Sequence, residues 1–188
     1  MRRASSAHAR TSLALGLLVA VGVAGCGLGA NSSPASLPAT TGGPAATVTG
    51  AAEQTRGLIA SALAAVSSVA VQFGDASRPY RPPESARLRD APRAVYQAIV
   101  PDRPDAGFVV VYEFPDAAAA VDAGNEEAGY LGTGPARVNF PRDAQHVLRQ
   151  IGTTLILYTW SPSDTTDRTP EVVAAVLATL GIGFTVPN

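Results

Sequence analysis

Apolar residues recur in four short runs across the second half of the chain, and these runs predict four β-strands. Each run is rich in Val, Ile, Leu and aromatic residues, which favour extended structure. The runs cover residues 94–100, 108–114, 145–151 and 154–160. Only Gly152 and Thr153 separate the last two runs, so a hairpin of antiparallel strands is expected there.

A predicted helix follows each pair of strands. The first starts at Pro115 and ends before Gly132, because proline suits a first helical turn and glycine a helix end. The second starts at Thr169-Pro170, where threonine can cap the helix, and ends at Gly181. The order strand, turn, strand, helix therefore occurs twice.

This repeated unit predicts the α+β fold class. Short connections make neighbouring strands antiparallel, so the simplest assembly is a two-layer sandwich: a four-stranded, mainly antiparallel sheet with both helices on one face. An N-terminal helix is predicted over residues 53–67, where apolar residues recur at helical spacing, and a short strand over residues 69–73.

Alternate residues of a strand point to opposite faces of a sheet, which predicts two unlike faces. One parity is mainly aromatic and should face the helices: Tyr96, Phe108, Val110, Tyr112, Phe114, Leu148, Ile156, Tyr158 and Trp160. The other parity mixes aliphatic with polar residues and is too apolar to lie wholly in water. Either the N-terminal helix covers it, with Glu113 and Arg149 pairing at its edge, or part of it is a contact surface. The residues expected to set the specificity of that surface are Gln97, Glu113, Arg149 and Thr159.

The first 26 residues carry an export signal. Three arginines precede an apolar run over residues 13–24, which leads into Val23-Ala24-Gly25-Cys26. These four residues resemble the bacterial lipoprotein signal, in which an aliphatic residue, a small residue and Gly or Ala precede a cysteine. The resemblance implies that the thiol of Cys26 receives a diacylglyceryl group and that the chain is cleaved just before it.

Two other interpretations of Cys26 stay open. One is an ordinary core cysteine, although no predicted strand or helix surrounds this residue. The other is an uncleaved membrane span over residues 11–30, which has about the required length but contains several glycines that weaken a helix. The position of the chain's only cysteine favours the lipoprotein interpretation.

That interpretation divides the chain into three parts. Residues 1–25 are the signal peptide, residues 26–52 the lipidated cysteine with an uncharged Gly/Ala/Ser/Thr/Pro tether, and residues 53–188 a single globular domain. The mature chain keeps eleven arginines, no lysine and fifteen acidic residues, so its formal charge is −4. This charge argues against a nucleic-acid partner.

Few residues suit catalysis or metal binding. His146 is the only histidine of the mature chain, and no serine lies in a Gly-x-Ser-x-Gly elbow. One histidine without clustered carboxylates predicts neither a metal site nor a cofactor. Glu126 and Glu127 lie on a predicted helix and are expected to be solvated. We therefore expect a protein that is not an enzyme.

The mature part is also similar to small lipid-anchored domains of the actinobacterial kind, a resemblance that implies no catalytic residue. The expected function is a binding or assembly module at the extracytoplasmic face of the cell membrane, contacting another envelope protein, a lipid or a wall polymer. Two alternatives stay open. One is an envelope hydrolase that uses a carboxylate pair including Glu113, and the other is a carrier of an apolar ligand in a cavity.

Overall fold

The structure is a computed structural model of the 188-residue chain, and it describes residues 50–66 and 70–187. The predicted signal peptide, Cys26 and most of the predicted tether lie outside the described residues. Within the described part, no helix combines the length and the apolarity needed to cross a membrane.

Helices and strands alternate along the described chain. The helices are α1 (Gly50–Ala64), α2 (Ala86–Asp90), α3 (Ala117–Leu131), α4 (Gly134–Arg137) and α5 (Thr169–Ala178). The strands are β1 (Phe73–Asp75), β2 (Arg93–Ala98), β3 (Phe108–Glu113), β4 (Gln145–Ile151), β5 (Thr154–Trp160) and β6 (Ile182–Gly183). The four principal predicted strands and the two helices that follow them therefore form with bounds within about two residues of the prediction. Thr169 is not the predicted cap of α5: it is the first helical residue, and Arg168 before it makes no side-chain cap hydrogen bond.

One antiparallel sheet organises the domain, which confirms the α+β class. Its strand order is β1-β2-β3-β5-β4-β6, so the predicted four-stranded sheet was too small by one short strand at each edge. The strand predicted over residues 69–73 forms later, as β1, and residue 69 itself lies outside the described residues. β6 follows Gly181, whose positive φ of 51° turns the chain back against β4.

Helices cover both faces of this sheet, so the predicted two-layer sandwich was wrong. α1 and α5 pack on one face, with a core that includes Ile59 and Val109, and α3 packs on the other, with a core that includes Val110 and Leu157. We call these the α1/α5 face and the α3 face. The physical reason is that β3 and the first five residues of β5 are buried throughout, so both parities need cover.

The aromatic residues divide between the two faces, which corrects the predicted single aromatic face. Directly opposed residues of a sheet share a face, and Tyr96, Val109 and Tyr158 oppose one another across β2, β3 and β5. They lie on the α1/α5 face, whereas Phe108 and Tyr112 have the opposite parity and belong to the α3 face. The prediction placed Tyr112 and Tyr158 on one face, whereas Tyr112 opposes Leu155 and Tyr158 opposes Val109, and an offset of one residue exchanges the faces.

The two ends of the sheet differ in what they carry. α1 begins at the end that holds Glu113, where the backbone N–H of Ala52 donates to Glu113 Oε1 at 2.7 Å. Phe108 and Trp160 lie at the other end, since β3 starts there and the antiparallel β5 finishes there. Strands of six or seven residues separate the two ends by about 20 Å.

Candidate functional site

An aromatic-lined cleft opens at the end of the sheet that holds Phe108 and Trp160. It encloses about 190 Å³, and we call it the aromatic cleft. Its apolar walls are rings from β3, β5 and two loops: Tyr80, Phe108, Phe140, Tyr158 and Trp160. Its polar mouth is formed by loop residues: Arg103, Asp105, Ser161, Asp164 and Thr165.

One wall of the aromatic cleft is a stacked pair of rings. The rings of Tyr80 and Phe108 are nearly parallel, at 9°, with centroids 4.3 Å apart. The guanidinium of Arg78 lies 5.0 Å from the centroid of Phe108 and donates to the backbone oxygen of Asp105 at 2.9 Å. The position of Tyr80 is therefore fixed by ring contact and burial, which also raises the pKa of its hydroxyl.

The turn before β3 is held by a glycine and a buried amide. Gly107 has a φ of +80°, and a Cβ there would lie 2.1 Å from the backbone oxygen of Ala98, so other residues are excluded. Gln97 donates through Nε2 to the backbone oxygens of Pro104 and Ala106 at 2.9 and 2.8 Å. These contacts place the mouth residues of loop 101–107.

Hydrogen bonds cross-link that loop to the loop after β5. Arg103 donates to the backbone oxygen of Asp164 at 2.7 Å and pairs with Asp105 at 3.1 Å. Thr165 Oγ1 donates to the carboxylate of Asp102 at 2.5 Å, and this bond holds the pKa of Asp102 below its usual value. The guanidinium hydrogen bond from Arg103 likewise lowers the pKa of Asp105. The positive charge of Arg103 is thus engaged, while the carboxylates of Asp102 and Asp105 stay ionised.

A third loop is fastened to the same site by Asp143. Its carboxylate accepts hydrogen bonds from the Ser161 hydroxyl at 2.5 Å and from the Ser163 N–H at 2.8 Å. These donors lower the pKa of Asp143 to about 2, so the carboxylate stays charged across the physiological range. Three loops therefore form the cleft as one connected unit, which gives its walls a defined shape.

His146 lies beside the cleft and makes structural contacts. Its Nδ1 is 2.9 Å from Thr159 Oγ1, and its ring meets Phe140 edge-on with centroids 4.9 Å apart. Burial lowers the pKa of His146. Among the described residues, no group of three or more His, Cys, Asp or Glu side chains could hold a metal ion.

Two buried carboxylates lie on the α3 face, away from the aromatic cleft. Glu84 accepts a hydrogen bond from the hydroxyl of Tyr112 at 2.6 Å and pairs with Arg81 at 2.5 Å and Arg93 at 3.3 Å. Burial and the bond to Glu84 raise the pKa of Tyr112. The two arginines offset the negative charge of Glu84, and its bond to Tyr112 fastens the loop before α2 to the sheet.

Glu127 is fully buried, which corrects its predicted solvation. Its Oε2 accepts the N–H of Ser85 at 2.8 Å, whereas Oε1 and the Ser85 hydroxyl have no hydrogen-bond partner within the described part of the chain. Burial raises the pKa of Glu127, and the carboxylates of Glu84 and Glu126 add to the effect. Residues 84–90 fold over this side of α3, a long-range contact that helical periodicity does not reveal.

The four predicted contact residues do not form one surface. Gln97 and Thr159 lie on the α3 face, while Glu113 and Arg149 lie on the α1/α5 face, as their strand partners show. Gln97 and Glu113 are only 1% and 5% exposed. Arg149 donates to the backbone oxygens of Leu180 and Gly181, Thr159 contacts His146, and Glu113 binds α1. The proposed specificity surface is therefore replaced by four internal contacts, and Glu113 is engaged as a helix cap.

Only some of the residues that line the aromatic cleft could have been located from the sequence. Phe108 begins one predicted strand and Trp160 ends another, so antiparallel pairing of those two strands would have placed both rings at the same end of the sheet. Tyr80 and Phe140 come from loops without periodicity, and their approach depends on long-range packing. No family model, no curated protein and no solved structure matches this chain.

Proposed function

We propose that the mature protein is a lipid-anchored binding module of the cell envelope, held at the extracytoplasmic face of the membrane by acylated Cys26. The Val23-Ala24-Gly25-Cys26 signal and the uncharged tether behind it support this proposal. An acyl chain on Cys26, including palmitate, supplies the membrane contact. The domain then presents the aromatic cleft to the envelope.

The ligand that fits the aromatic cleft best is an uncharged ring that carries hydroxyl groups, such as one sugar unit of a wall polymer. The C–H face of a sugar ring packs against aromatic rings, and Trp160 and the Tyr80–Phe108 pair offer such surfaces. Asp105 and Asp164 at the mouth supply acceptors for hydroxyl donors and repel anions. A volume of about 190 Å³ is below the ~300–1,000 Å³ of drug-sized pockets, so a single ring is the expected occupant.

The observation that carries this proposal is a cleft whose three loops are cross-linked to one another by hydrogen bonds. Rigid walls reduce the conformational entropy lost on binding. The other two functions lack such support. Glu113, the acid considered for hydrolysis, caps α1, and the apolar groove between α1 and α5 at Ala62 and Val176 is open along the surface rather than a container for a ligand.

Fluorescence gives a direct test of the ligand, because Trp160 is the only tryptophan of the chain and lines the cleft. Neutral hexose or N-acetylhexosamine oligomers added to the full chain in mild detergent should change its emission in a saturable way. Tyr80→Ala should weaken the response at least tenfold, while the matched control Tyr130→Ala, on α3, should keep it. Unchanged emission with both classes of oligomer, or equal losses in the two variants, would refute the sugar site.

The lipid anchor has a separate test. Intact-mass analysis of the protein from its native membrane should give a chain that begins at Cys26 and carries a diacylglyceryl group. Cys26→Ala should move the protein out of the membrane fraction as a cleaved chain or block its processing. A mature N-terminus elsewhere would contradict the lipoprotein proposal and leave the cleft proposal untouched.

A further inference from the structure

A second cleft lies on the other side of the wall formed by residues 140–144. It encloses about 430 Å³ and is mainly polar. Its lining comes from the ends of α3 and α4, the segment after α4, the start of β4 and the C-terminal segment, and it includes Leu131, Arg137, Arg142, Gln145, His146 and Val186. We call it the arginine cleft.

The arginines of this cleft differ from most others in the described part of the chain. Eight of the eleven described arginines are engaged. Six pair with a carboxylate within 4 Å: Arg56, Arg81, Arg87, Arg93, Arg103 and Arg168. Arg78 and Arg149 donate to backbone oxygens. The guanidinium groups without such a partner among the described residues are those of Arg89, Arg137 and Arg142, and two of these three line the arginine cleft.

Among the described residues, no acidic side chain lines the arginine cleft to neutralise these two arginines. Asp143 follows Arg142 directly in the sequence, but its carboxylate is occupied by Ser161 and Ser163. His146 adds an imidazole whose Nδ1 contacts Thr159, and its Nε2 has no hydrogen-bond partner in the described residues. The cleft therefore gathers cationic and donor groups without an anion of its own.

Two guanidinium groups at one concave site match the chemistry of a phosphate group. Each guanidinium can donate two parallel N–H···O bonds to phosphate oxygens, and such charge-assisted bonds are stronger than neutral ones. A cleft of about 430 Å³ exceeds what an isolated phosphate fills, so the phosphate should belong to a larger molecule. Apolar Leu131 and Val186 can contact the remainder.

We propose that the arginine cleft binds a phosphate group of an envelope molecule, with Arg137 and Arg142 holding its oxygens and His146 at its side. A phospholipid headgroup and a phosphodiester-linked wall polymer share this chemistry. The site is separate from the aromatic cleft and does not rest on the sugar proposal.

The test uses His146 as a reporter. His146 is the only histidine of the proposed mature chain, so histidine-selective isotope labelling of that chain in lipid nanodiscs gives a single imidazole signal. Glycerol 3-phosphate added to phosphatidylcholine nanodiscs should raise the titration midpoint of His146 by about 0.5–1 unit, because a nearby anion favours imidazolium. Sodium chloride at equal ionic strength should leave it unchanged.

Matched variants assign the effect to the cleft. Arg137→Gln combined with Arg142→Gln should abolish the shift, while Arg89→Gln, which removes the third unpartnered arginine, should retain it. A His146 midpoint that does not respond to glycerol 3-phosphate overturns the proposal, as does a response that survives in the double variant.

Two further arms separate the sources of phosphate. Phosphatidylglycerol built into the nanodisc should shift His146 without added ligand if the membrane supplies the group. A soluble poly(glycerol phosphate) should shift it in phosphatidylcholine nanodiscs if a wall polymer does. A shift in either arm supports the phosphate site and names its source, and the absence of a shift in both arms contradicts it.

Discussion

Glu113 fastens the first turn of α1 to the centre of the sheet. Its carboxylate is 5% exposed and accepts the N–H of Ala52, one of the donors that a helix start leaves without an intrahelical partner. A buried charge here is tolerable because backbone dipoles at the helix start face it.

Glu113→Ala should therefore lower the free energy of unfolding by about 1–3 kcal/mol, since the Ala52 N–H loses a charged acceptor. Urea denaturation followed by circular dichroism measures the change. The control is Glu171→Ala, which removes an exposed ion pair with Arg168 and should cost less than about 1 kcal/mol. Equal effects of the two substitutions would show that the Glu113 contact contributes nothing special.

Glu127 should make stability depend on pH in the unusual direction for an acid. Its pKa is raised above 4.5 by burial, so folding favours the protonated form. The domain therefore loses stability as pH rises from 4.5 through the raised pKa of Glu127. Above that pKa, the domain bears the full free-energy cost of burying a carboxylate. Glu127→Gln should accordingly gain stability relative to the parent between pH 4 and pH 8, as thermal melts at both values would reveal.

The neighbouring Glu126 provides the opposite case. Partial burial acts to raise its pKa, but hydrogen bonds and charge from Arg87 leave that pKa below 4.5. Its stabilising contribution is present above pH 4.5 and is lost as pH falls through the lowered pKa. Glu126→Gln should therefore lose stability relative to the parent as pH rises from 3 to 7, and parallel trends for the two variants would argue against the burial account.

Elements with local signals were predicted well. The β4–β5 hairpin needs Gly152, whose φ is +56°, and α5 has Pro170 in its first turn and Gly181 just beyond its end. α1 begins three residues earlier than predicted because its first turn is stabilised by Glu113, a residue 61 positions away from Ala52. β6 and α4 are too short to leave a periodic pattern.

α5 depends on its buried face, as substitution of Leu177 should show. Leu177 is fully buried against the sheet on the α1/α5 face, so Leu177→Asp places an unpaired charge in an apolar core. We expect a loss of more than about 4 kcal/mol, enough to unfold a marginally stable domain. Ala175→Asp on the exposed side of the same helix should cost about 1 kcal/mol or less. Thermal melts of both variants decide the matter, and similar melting temperatures would contradict the assigned core.

At the scale of the whole molecule, the order of the strands in the sheet could not be predicted from local sequence patterns. Both parities of β3 and β5 are apolar, so the sequence showed that each face needs cover but not which helix supplies it. α3 connects β3 to β4 across one face of the sheet, and α5 follows β5 and packs on the other face. The helices of the two repeated units therefore lie on opposite sides of the sheet. The aromatic cleft depends on the same pairing, since β3 and β5 must be neighbours before Phe108 and Trp160 can share an end.

The predicted domain start at residue 53 should prove too late. Residues 50–188 expressed alone should fold without a metal, whereas residues 53–188 lack the Ala52 N–H and should be less stable by about 1–3 kcal/mol. Urea midpoints compare the two chains. Because the contact is shared, Glu113→Ala should cost less in the shorter chain than in the longer one. Equal stability of the two chains would contradict the role of the first turn.

The aromatic cleft lies at the end of the sheet far from Gly50, and this distance limits what it can reach. The strands separate these two ends of the sheet by about 20 Å. For the lipid-anchored protein proposed above, the cleft therefore lies away from the point of attachment, where a ligand repeated along a polymer is met at millimolar effective concentration. A cleft that grips one ring needs only weak affinity under these conditions. Many copies bound to one polymer would hold it tightly through multivalency, while each single cleft could still release its ring within milliseconds.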